Sequence, residues 1–147
     1  MTMKILTLFF LLPLLFSNVD DERTIEYQGD MYETTFDVPD KFIGTYQGEK
    51  SGYVTFSADG TGEYKYDIFG YAPASCERNT ITFEWGFILD DKGAITKNSR
   101  GYGSSYPLLL RSTGDTSFQG CRSQVMLDYI LEKEDGLHVS SSDDWRK

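Results

Sequence analysis

The chain has 147 residues and a formal charge of −9, from 23 acidic and 14 basic side chains. That length fits one compact unit and argues against a two-domain enzyme. Without a cluster of Lys or Arg, the chain has no surface that would release counterions from a phosphate backbone, which argues against nucleic acid and, by the same reasoning, an anionic membrane.

Residues 1–17 are the only strongly apolar stretch. Lys4 precedes a run at 5–16 broken only by Thr7 and Pro13, and Ser17 follows as a small residue at a plausible cleavage point. This is the pattern of a signal peptide. The run is too short for a stable membrane span, which needs about 20 apolar residues in a helix. Export, to the outside or to a periplasm, is the expectation. Cleavage would remove Lys4 alone among the charged groups and leave the mature chain one unit more negative.

Residues 18–40 are acidic and weakly periodic, with eight carboxylates against Arg23. They read as an acidic arm on the surface or a strand. From residue 41 to 147 the pattern becomes short alternating runs broken by Gly and Asp, which predicts one all-β domain. A first strand opens at Gly44-Thr45-Tyr46. Residues 53–57 and 63–67 form a hairpin around Asp59-Gly60, a pair suited to tight turns, with Val54 and Phe56 set to face Tyr64 and Tyr66.

Residues 81–89 give the clearest strand. Ile81, Phe83, Trp85, Phe87 and Leu89 alternate with Thr82, Glu84, Gly86 and Ile88, so period two puts one apolar row on a single face. Burying each such side chain is worth about 1.5–3 kcal/mol, and a one-residue slip would expose the row. Asp90-Asp91-Lys92-Gly93 then turns into a strand near 94–97. The run 106–111 is read as an edge or a strand start, because Pro107 lacks a ladder donor. Residues 125–131 and 137–140 pair through Glu134-Asp135-Gly136, with Val125, Leu127, Tyr129, Leu131, Leu137 and Val139 expected inward and His138 outward and solvated. About eight strands in sequence fit an antiparallel up-and-down barrel, since closure removes the sheet edges; a two-sheet sandwich is the alternative.

Two segments carry a resemblance. Gly44-Thr45-Tyr46 directly after Pro39-Asp40-Lys41-Phe42-Ile43, followed by Val54-Thr55-Phe56-Ser57-Ala58-Asp59-Gly60-Thr61-Gly62, resembles the opening of lipocalin-like (calycin-type) small barrels. There a Gly-x-Trp enters strand one and an Asp-Gly hairpin follows. More distantly, it is similar to the avidin-type opening. Tyr46 replaces the Trp, no helical run precedes the final strand, and Arg146 after Trp145 is the candidate for the basic group that packs over that Trp. The resemblance implies a barrel with a cup for a small apolar or amphipathic ligand.

Phe56, Tyr64, Tyr66, Phe83, Trp85, Phe87 and Tyr129 are the candidate lining of that cup, since pockets are largely apolar with few polar handles. The same side chains can equally fill an eight-stranded interior. A filled barrel would instead contact a surface protein or glycan through loops, with Phe69, Tyr71 and Tyr102 as anchors. Cys76 and Cys121, in an exported chain, are expected to form a structural disulfide worth up to ~4 kcal/mol for a loop of about 45 residues. There is no CxxC, and His138 is the single imidazole, so no metal, cofactor or catalytic set is expected and the chain reads as non-enzymatic. The pairs Asp90-Asp91, Glu134-Asp135 and Asp143-Asp144 read as turn chemistry.

Overall fold

The structure is a computed structural model that describes residues 21–48, 52–65, 80–101, 103–113, 124–140 and 146–147. The expected signal segment, both cysteines, Tyr66, Phe69, Tyr71, Tyr102, Asp143-Asp144 and Trp145 lie outside these residues.

The described residues hold ten strands: β1 (Glu22–Tyr27), β2 (Asp30–Thr35), β3 (Gly44–Gln47), β4 (Tyr53–Phe56), β5 (Thr61–Lys65), β6 (Thr80–Ile88), β7 (Asn98–Arg100), β8 (Gly103–Ser112), β9 (Val125–Lys133) and β10 (Gly136–Val139). A 3-10 turn at Asp40–Phe42 precedes β3. One antiparallel sheet runs β10-β9-β8-β6-β5-β4-β3. Its two ends meet at Arg146, which bridges Gln47 of β3 and His138 of β10. The Gln47 amide donates to the Arg146 carbonyl (2.8 Å), and the Lys147 amide donates to the Leu137 carbonyl (3.1 Å). The fold is therefore all-β, an antiparallel meander nearly closed into a barrel with the C-terminal residues as its seam.

Antiparallel order sorts the connections. Those between β3 and β4, β5 and β6, and β8 and β9 leave one rim. The 3-10 turn, the β4–β5 turn and the β9–β10 turn occupy the other, which Phe42 stoppers: it is buried in the core, 5.1 Å from the Phe87 ring and 5.0 Å from that of Tyr106. At the β4–β5 turn Gly60 adopts φ +76°, and Asp59 Oδ1 accepts from the Thr61 amide (3.0 Å) and hydroxyl (2.6 Å). In this hairpin Val54 faces Tyr64 as expected, but Phe56 faces Gly62.

The acidic arm is a hairpin that belongs to the sheet. β1 and β2 pair along their whole length around Gln28 and Gly29, both at positive φ, and Thr34 and Thr35 continue onto Ile88 and Phe87 of β6. Alternation decides its faces: Glu22, Thr24 and Glu26 are exposed, whereas Ile25 is fully buried. The hairpin lies on the outside of the barrel. A side chain at Gly86 would collide with Thr34, β1 reaches β9, and Leu109 is fully buried without belonging to the interior cluster.

Three local expectations are corrected. In β9 the buried positions are Met126, Asp128 and Ile130, while Val125, Leu127, Tyr129 and Leu131 are half-buried on the other face. Asp128 keeps its place inside because its Oδ1 accepts from Ser140 Oγ (2.9 Å) and the Tyr129 amide (2.8 Å). Pro107 lies within β8, a strand flanked on both sides, rather than at an edge or a start. It falls where one flank passes from β7, paired at 103–105, to β6, paired at 108–112. The turn at 90–93 forms, with Asp90 Oδ1 accepting from the Lys92 and Ala94 amides at 2.9 Å. The strand after it begins only at Asn98, and residues 94–97 contribute one bridge, Leu89 to Ile95.

Candidate functional site

The barrel interior is where the sequence placed its candidate site. β6 supplies Phe83, Trp85 and Phe87, whose partners on β8 are Ser112, Leu110 and Leu108. Phe56 on β4, Tyr64 on β5 and Tyr106 on β8 join them in one buried cluster. Ring stacking is continuous. Phe56 lies 5.9 Å from Phe83 and 5.4 Å from Trp85, Trp85 lies 5.9 Å from Phe87, and Tyr46 lies 5.6 Å from Phe56. All four contacts are edge-to-face, the geometry that the ring quadrupole favours.

The polar ends of these rings are occupied. Trp85 Nε1–H donates to the Thr61 carbonyl (2.8 Å), and the Tyr46 hydroxyl donates to the Phe42 carbonyl (3.1 Å). Burial drives the Tyr46 phenol far above its ordinary 10.0, because a phenolate there would lose its hydration. Trp85, Phe87 and Tyr46 have 0% exposed surface, and Phe56 and Phe83 have 1%. At those values almost none of the ring surface is open to water.

The structure thus brings together Phe56, Tyr64, Phe83, Trp85 and Phe87 and leaves Tyr129 out. Tyr129 pairs with Pro107, half-buried on the opposite face of β9 from Met126 and Ile130. Tyr66 lies outside the described residues. Phe36, Phe42, Tyr46 and Tyr106, which the sequence pattern did not place in the interior, join the cluster. Phe36 arrives with the N-terminal hairpin, its ring 6.4 Å from Trp85 and 4.4 Å beneath the Arg23 guanidinium. Arg23 also donates to the Gly60 carbonyl (3.2 Å) and lies 3.8 Å from Glu84.

One further placement differs from expectation. His138 is 2% exposed rather than solvated, because Arg146 and the seam cover it; its Nε2 lies 2.9 Å from Asp135 Oδ1. A basic side chain, Lys147, ties the barrel floor. Its Nζ donates to the carbonyls of Lys41 (2.8 Å), Asp40 (3.4 Å) and Ile43. Beside it, Glu132 accepts from Lys41 Nζ (2.6 Å) and the Tyr106 hydroxyl (2.8 Å), and these bonds hold its carboxyl below the ordinary 4.5.

Among the described residues no group of three or more His, Cys, Asp or Glu side chains is placed to hold a metal ion, and no helix is long and apolar enough to cross a membrane. Comparison of the chain with protein-family models, with curated proteins and with solved structures gives no match.

Proposed function

We propose that the chain is an exported, non-enzymatic interaction domain: a lipocalin-like barrel whose interior is filled by its own aromatic side chains and whose outer surface contacts a protein or glycan. One observation carries this reading. The rings suited to grip a lipophile, Phe56, Phe83, Trp85 and Phe87, have at most 1% of their surface free. Pockets that take a small molecule keep apolar surface available to it, and here that surface is spent on ring-to-ring contact. The lipocalin-like part of the proposal is supported by the antiparallel meander order and its near closure at the Arg146 seam. A signal peptide at 1–17 and a Cys76–Cys121 bridge belong to the same proposal.

The test is a titration of Trp emission with fatty acids and lipophilic dyes in a Trp145→Phe background, so that Trp85 alone reports. No saturable change across the panel is expected. A saturable 1:1 shift would return the barrel to the carrier reading.

A further inference from the structure

The interaction-domain reading leaves open which surface binds, and one groove outside the barrel has the chemistry to answer. It measures about 610 Å³ and lies between the N-terminal hairpin and the turn after β6, lined by Glu22, Met31, Tyr32 and Glu33 on one side and by Ile88, Leu89, Asp90, Asp91 and Gly93 on the other. The Leu89 amide donates to the Glu33 carbonyl (2.9 Å), so the two walls are joined by backbone. Met31 is 64% exposed, the one large hydrophobic side chain left so open among the described residues. Ile88 and Leu89 beside it are only half-covered. All four carboxylates of the lining are exposed, and no Lys or Arg shares it.

We propose that this groove docks a basic, apolar-studded peptide segment of a partner protein, an apolar side chain resting on Met31, Ile88 and Leu89 while flanking Lys or Arg side chains meet Glu22, Glu33 and Asp91. Charge complementarity selects that occupant. A second copy of the chain would set carboxylates against carboxylates, which disfavours self-pairing. A metal ion is disfavoured because these carboxylates do not converge into a ligand set. The net charge of −9 would also draw a cationic partner to the surface. The inference rests on the interaction-domain reading but uses no interior residue, so the two fail separately: lipophile binding by Trp85 would sink the reading, whereas the experiment below addresses the groove alone.

The test is fluorescence anisotropy of a labelled ten-residue peptide of alternating lysine and leucine added to the whole chain. Asp91→Lys and Met31→Ser should each weaken binding at least fivefold. Glu134→Lys, the same change of charge at the β9–β10 turn, should stay within twofold. An equal loss with Glu134→Lys, or no loss with Met31→Ser, would show diffuse attraction to an acidic surface and overturn the proposal. So would a concentration-dependent dimer, seen by sedimentation, that Met31→Ser abolishes, since the groove would then belong to a second copy.

Discussion

The indole N–H of Trp85 points at the backbone carbonyl of Thr61, 2.8 Å away on the neighbouring strand. A ring held at its polar corner and boxed by Phe36, Phe56 and Phe87 is a structural member of the barrel. It has no free donor with which to orient a guest.

Truncation separates inward from outward aromatics. Trp85→Ala should cost about 3–5 kcal/mol, the range for deleting a large buried ring. Tyr129→Ala, on the outer face of β9, should cost about 1 kcal/mol or less. Urea denaturation of both variants reads the difference, and equal costs would return Tyr129 to the interior.

Gly86 tests the position of the N-terminal hairpin. Even a methyl group there meets Thr34, so Gly86→Ala should destabilise by about 1–3 kcal/mol, as overpacking does. Gly101 has nothing within 4 Å of an added Cβ, and Gly101→Ala should be close to neutral in the same denaturation series.

Much of the barrel was legible in the sequence, and its gaps share a cause. Residues 81–87 announce their inward row because one face is uniformly bulky, whereas Leu89, which the same alternation predicts inward, lies past the end of β6, half-buried on the outer groove. In β9 the outer face carries Val125, Leu127, Tyr129 and Leu131, half-covered from outside where β1 reaches that strand, while the inner face carries a hydrogen-bonded Asp128. Counting apolar residues therefore picks the wrong face. The hairpin at 22–35 hid its alternation because a single buried Ile25 does not make a visible period. The seam at Arg146 was invisible, since one bridging residue leaves no pattern. Burial of His138 follows from that seam and was missed with it.

Closure at the seam should be local in its consequences. Deleting residues 146–147 removes the Gln47 and Lys147 backbone bonds and the Lys147 grip on the floor. Amide hydrogen exchange at Gln47 should then accelerate by an order of magnitude or more, while exchange at Trp85 and Leu109 follows global stability alone.

Acid should weaken the fold. The Thr61 hydroxyl and amide lower Asp59, the Lys41 ammonium and Tyr106 hydroxyl lower Glu132, and the His138 ring lowers Asp135, from ordinary values of 3.8, 4.5 and 3.8. Carboxyls depressed in the folded state stabilise it above their unfolded values and lose that contribution as pH falls toward the folded ones. The thermal midpoint should change little between about pH 7 and 5 and decline below about 4.5. Glu132→Gln with Asp135→Asn should flatten that decline.

Xenon under pressure reports dry apolar space directly, because it enters voids lined by aliphatic and aromatic carbon. Crystals of the protein exposed to xenon should show no bound atom among Phe56, Phe83, Trp85 and Phe87. A xenon site bounded by those four rings would contradict the filled barrel and restore a cavity for a guest.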